Sequence, residues 1–130
     1  MSNGAMLCYR LANELSHRIA AIAPVSGTMT YTKITSKRAV PIIHFHGDAD
    51  GVVHFDRKRE VLAGRFLIES APDTIAAWVK FNGCTAEPVE TTLPDKTADE
   101  TTVVKTEYTG GRDGSEVILY TIKGGGHTWP

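Results

Sequence analysis

The chain has 130 residues, 42% hydrophobic, 22% charged and 8% aromatic, which places it with ordinary globular proteins and excludes disordered, collagenous and low-complexity classes. Fourteen Lys and Arg against 15 Asp and Glu leave a net charge of -1, so no field of one sign draws in phosphate backbones and no nucleic-acid partner is expected. No apolar run approaches the roughly 20 residues that cross a bilayer, and the opening MSNGAMLCYR lacks the regions of a signal peptide, so no membrane partner is expected either.

No period repeats and no Pro-, Ser- or Gly-rich linker divides the sequence, which is therefore read as one unit. After Ser2-Asn3-Gly4, the good helix formers of AMLCYRLANEL, with Met6, Leu7, Leu11 and Leu15 as apolar positions, predict a helix over residues 5–15. The continuous apolar run IAAIAPV (19–25) predicts a parallel strand covered on both faces, and residues 40–45 a second. The Thr-rich segment between them reads as a surface excursion. Beyond HGDADG, residues 66–81 carry Ile68, Ile75, Trp78 and Val79 at helical spacing, with Pro72-Asp73 as a start signal and Asn82-Gly83 as a stop. Residues 88–93, 102–108 and 116–122 are β-rich, separated by turn residues, and the closing pair reads as a hairpin. The order predicts an α/β fold: a mostly parallel sheet with helices on both faces and a C-terminal antiparallel β addition.

Three motifs fall where strands should end. Ser2-Asn3-Gly4 before a helix is the back half of G-x-S-x-G, in which a serine sits on a strained strand-to-helix turn among small neighbours; a plain helix N-cap is the competing reading. His46-Gly47-Asp48-Ala49-Asp50-Gly51 follows an apolar strand and puts an acid at the carboxyl edge of the sheet, where open α/β sheets bind ligands. The competing reading is an Asx turn. Gly124-Gly125-Gly126-His127 follows the last strand and holds an imidazole at the same edge. Ser, then Asp, then His at successive strand ends is the chain order of α/β-hydrolase catalysis.

With SNGAMLCYRLA, APVSG, HGDADGVV, Trp78-x-x-x-Asn82-Gly83-Cys84 and GGGHTWP, the chain resembles the polyhydroxybutyrate depolymerase and feruloyl-esterase-like family of α/β hydrolases. The resemblance implies a serine carboxylic ester hydrolase: Ser2 as nucleophile, His127 as general base, Asp50 as the acid that orients it, and the Asn3 backbone N–H as an oxyanion-hole donor. Asp48 is set aside as the acid because the family pattern uses the second aspartate of the loop. Trp129 is a candidate wall of the substrate pocket or a packing residue beside the histidine loop. His44 and His46 read as structural. Cys84 falls at a half-cystine position of the family, but Gly111 stands where its partner would be, which argues against that disulfide.

No cofactor or metal is expected, because a triad supplies nucleophile, base and orienting charge by itself. The implied partner is an ester substrate, a polyester or an esterified plant polysaccharide, and the implied site of action of the parent is extracellular or periplasmic. The strands that precede the nucleophile in the family have no counterpart here. Residues 1–130 are therefore expected to be the C-terminal part of a single catalytic domain, weak or inactive alone, with Ser2 out of reach of its base. Two rival readings stand beside this one. His44-x-His46-x-Asp48 resembles the first ligands of a metal-dependent hydrolase, and the chain also fits a non-catalytic folded fragment or binding module.

Overall fold

The computed structural model describes residues 1–130. Helix α1 runs Asn3–Glu14, strand β1 Ile42–Gly47, the short strands β2 Arg59–Val61 and β3 Phe66–Ile68, helix α2 Ala71–Asn82, and strands β4 Val89–Thr92, β5 Thr102–Tyr108 and β6 Val117–Lys123. The main sheet has the order β1-β6-β5-β4. Only β1 and β6 are parallel; β6–β5 and β5–β4 are antiparallel, so the sheet is mixed where a mostly parallel one was expected.

The predicted strand over 19–25 forms only two isolated parallel bridges to β1, Ile22 with Ile42 and Val25 with Phe45. Pro24 is the reason. Ile22 N donates to Pro41 O at 3.1 Å and Ser26 N to Phe45 O at 2.9 Å, and the donor due between them, aimed at Ile43 O, is the one proline lacks. The outer side of this segment forms the sheet edge, with Ala21 and Ala23 exposed.

Helix α1 starts two residues earlier than predicted and buries a different face. Ala5, Tyr9 and Ala12 face the core, while Leu7 is 54% exposed. The predicted helix over 66–81 is shorter at its start, since Phe66–Ile68 pairs with Arg59–Val61 in a two-stranded hairpin. Helix α2 begins where Ser70 accepts from Asp73 N at 3.1 Å and ends at Gly83 in the left-handed region, φ 74°. Asn82, fully buried, then ties the helix end to the lead-in of β1. Its Nδ2 donates to Val40 O at 2.8 Å and its Oδ1 accepts from Val40 N at 3.2 Å.

One core results. Tyr9 and Ala12 of α1 and Ile75 and Trp78 of α2 pack with Ile42 of β1 and Val117 and Leu119 of β6. Both helices therefore lie on the same face of the sheet, where helices on both faces were expected. The opposite face, with Ile43, Phe45, Ile118 and Tyr120 half-buried, carries a stacked Phe45–Tyr120 pair at 4.9 Å but no helix.

Candidate active site

Parallel pairing of β1 with β6 brings both of their carboxyl ends to one edge, with Gly47 opposite Ile122. The loops that follow are fastened together. Asp48 N donates to Ile122 O and Ala49 N to Gly125 O, each at 3.0 Å, and Gly124 N donates to Asp48 Oδ1 at 2.7 Å, with Lys123 Nζ 3.3 Å from the other oxygen. A Cβ at Gly47 would collide with the Gly125 carbonyl, so glycine is required for this approach. The third loop joins through the edge segment, where Ser2 N donates to Val25 O at 2.9 Å.

Ser2 has φ 53° and ψ -125°, a conformation that non-glycine residues avoid, and its hydroxyl makes no capping bond to α1. The N-cap reading therefore does not describe this serine. Its Oγ lies 3.1 Å from His127 Nε2, and His127 Nδ1 lies 2.8 Å from Asp50 Oδ2. The expectation that Ser2 would sit out of reach is not met, because the bond to Val25 and the turn from Gly4 N to Met1 O at 3.0 Å hold it. Asp50 forms the anticipated Asx turn as well, its Oδ1 accepting from Val52 N and Val53 N at 2.9 Å. Burial pushes the Asp50 carboxyl up, and the bonds from His127, Val52 and Val53 together outweigh it and hold the group below its usual range.

Asn3 opens α1, so its N–H has no acceptor within the helix and lies beside Ser2, available to an incoming oxygen. Asn3 also borders a groove of about 350 Å³, lined by Met6 and Leu7 of α1 and Leu62 and Phe66 of the β2–β3 hairpin. Trp129, 67% exposed, is not part of that groove; it lines a shallow hollow with Ala23, Val25, Phe45 and Pro130. Cys8 and Cys84 are both free, and a Cβ at Gly111 would press on Ser115 O at 2.5 Å, so that position is closed to any side chain.

Gly27, the last residue of APVSG, has a contact that the sequence motif does not reveal: its Cβ would meet the Ser2 carbonyl and lie 2.7 Å from the Ala5 Cβ, so the Ser2 turn rests on a bare backbone. The residue reading also missed the use made of Asp48 as a clamp between the two loops. The alternation of His44 and His46 along β1 was the available signal for a third feature, a buried polar line on the core face. Tyr9 Oη donates to His44 Nδ1 at 2.6 Å, His44 Nε2 lies 3.0 Å from His46 Nδ1, and His46 Nε2 lies 2.8 Å from Val53 O. With their nitrogens engaged in this way, the two histidines are not free ligands, and no cluster of three metal-binding side chains exists in the chain. The metal-dependent reading therefore has no donor set.

A strained serine, an imidazole and a buried carboxylate in line at one sheet edge form an arrangement able to generate an alkoxide-like nucleophile. No protein-family model matches the chain. Its similarity is to proteins named as esterases. NocK of Nocardia uniformis subsp. tsuyamanensis, provisionally named an esterase, is 27% identical over an alignment covering 99% of this chain. Feruloyl esterase B of Piromyces equi is 31% identical over 121 residues, 88% of this chain. The bifunctional acetylxylan esterase/xylanase XynS20E of Neocallimastix patriciarum is 36% identical over 56 residues, 43% of this chain. The chain spans 40%, 21% and 8% of these relatives' own lengths, respectively.

Proposed function

We propose that the chain carries the catalytic part of a serine carboxylic ester hydrolase of α/β-hydrolase type, with Ser2 as nucleophile, His127 as general base and Asp50 as orienting acid. The observation that supports this reading is the unbroken line from Ser2 Oγ through His127 to the buried Asp50, joining residues 125 positions apart. His127 Nε2 takes the serine proton as Oγ attacks the ester carbonyl, and returns it to the leaving alcohol; water then repeats the sequence on the acyl-enzyme. Asp50 keeps Nδ1 protonated and balances the imidazolium. The N–H of Asn3 is one donor to the tetrahedral oxyanion.

The groove beside Asn3 takes the apolar part of the ester. Relatives named for feruloyl and acetyl esters support esterified plant polysaccharide as the substrate ahead of hydroxyalkanoate polyester. Esterified plant polysaccharide lies outside the cell that degrades it and does not cross a membrane, which argues for an extracellular or periplasmic parent.

The test is labelling of the 130-residue chain with a fluorophosphonate probe, with p-nitrophenyl butyrate turnover as companion. Labelling is expected at Ser2 and should fall by about 10²-fold or more in His127→Ala, as loss of a triad member demands. A folded chain that takes no label, or one that labels equally well as Ser2→Ala, overturns the proposal in favour of a non-catalytic module.

A further inference from the structure

The triad reading uses Ser2, His127 and Asp50 and leaves unexplained why two fully buried histidines, His44 and His46, stand in the core face of β1 next to the acid. Burying a polar ring is costly unless its nitrogens are bonded, and here every one is. The bonds also permit only one arrangement of protons. The Val53 carbonyl is solely an acceptor, so His46 Nε2 carries a proton, and its Nδ1, in the neutral ring, accepts. His44 Nε2 must then donate to it, which leaves His44 Nδ1 to accept from the Tyr9 hydroxyl. Burial favours the neutral rings, lowering His46 and taking His44 to about 3. The ordered line ends with His46 Nε2–H donated to Val53 O at 2.8 Å, and the same nitrogen lies 3.4 Å from Asp50 Oδ2, the carboxylate oxygen that receives His127 Nδ1.

We propose that His46, held in one tautomer by the Val53 carbonyl and His44, is a positioning residue for the acid. Its N–H holds the Val53 segment, whose amide bonds Asp50 Oδ1, while the ring stands 3.4 Å from Oδ2. The carboxylate is thereby fixed in rotation, with the Val52 and Val53 amides on one oxygen and His127 on the other, so that Oδ2 stays aligned with His127. The inference rests on the triad reading, and its test separates the two.

The readout is the low-field proton resonance of His127 Nδ1–H in the 130-residue chain, alongside the tautomers of His44 and His46 from ¹⁵N shifts. Both rings are expected as Nε2–H tautomers, with the His127 resonance present in the parent chain. His46→Gln, whose side-chain amide reaches the Nε2 position, should retain that resonance, and His46→Leu should lose it. Where the parent chain labels with fluorophosphonate, His46→Leu should also label about tenfold or more slowly, the scale at which outer partners of a functional imidazole act. Tyr9→Phe loosens the far end of the line without touching Asp50 and should keep the resonance despite a lower melting temperature. A resonance unchanged in His46→Leu, absent from the parent chain, or lost equally in Tyr9→Phe overturns the inference, as does an Nδ1–H tautomer at either histidine. Failure of the parent chain to label, with the resonance behaving as expected, removes the esterase reading and leaves the role of His46 in place.

Discussion

Ser2 sits in its strained turn because its surroundings leave it no relaxed alternative, and the most exacting of them is Gly27. A methyl at that position would press into the Ser2 carbonyl and lie 2.7 Å from the Ala5 Cβ. Gly27→Ala is therefore expected to cost about 1–3 kcal/mol, as overpacking does, and to move Oγ off His127, so that loss of labelling should exceed the loss seen in the melting temperature. His44 supplies a second prediction at this scale. Its folded pKa lies near 3, below the ordinary value of 6.5. Between those values the unfolded chain binds the proton and the folded chain does not, so stability is full above pH 6.5 and falls as the pH is lowered toward 3. His46 is lowered as well and acts in the same direction. Urea unfolding at pH 7, 6 and 5 should show a loss that steepens toward about 1.4 kcal/mol per pH unit from His44, with His46 adding to it in the same direction. That Ser2, Asp50 and His127 would fall at one sheet edge was legible because each lies in a short motif at the end of a strand. The roles of Gly27 and Asp48 were not, since they consist of approaches between segments far apart in sequence.

Among the elements, the strands of the C-terminal third were legible almost to the residue, because alternating β-branched residues bounded by Gly and Asp leave few other options. The 19–25 segment misled for a local reason: apolar continuity outweighed the single missing donor of Pro24, although that donor decides whether a ladder forms. In α1 the leucines drew attention, yet Ala5 and Ala12 flank Tyr9 on the buried face. Small residues let the helix come close to the Gly27 turn, and a pattern that weights large apolar side chains is blind to that. The β2–β3 hairpin was lost inside a longer helical pattern because Leu67 and Ile68 suit either period. What fixes α2 is more specific than its Gly83 stop. Asn82→Leu deprives both polar groups of Val40 of their partner, and each buried orphan costs about 1–3 kcal/mol. A clear fall in melting temperature is expected, with the far-UV helical signal retained below the transition.

Across the whole molecule, the asymmetry of the sheet dominates. Two helices cover one face, and the other presents Ile43, Phe45, Ile118 and Tyr120 without a covering element, a contiguous apolar surface that favours association. The 130-residue chain should accordingly bind 1-anilinonaphthalene-8-sulfonate and self-associate with rising concentration in sedimentation velocity. Ile118→Lys should reduce both. The sequence indicated an α/β sheet but not this one-sidedness, since a strand half-covered on its second face reads much like one covered on both.

The separation of Ser2 from His127 by 125 positions has a further consequence during synthesis. A ribosome adding about 5–20 residues per second exposes the serine on the order of 10 s before the histidine is made. Throughout that interval the Ser2 hydroxyl lacks its imidazole neighbour. Under the proposed mechanism, reactivity would arise only when the last strand has closed against β1, so a nascent chain would carry no premature nucleophile, and a covalent label on Ser2 would mark molecules in which everything between the two residues has been made and folded.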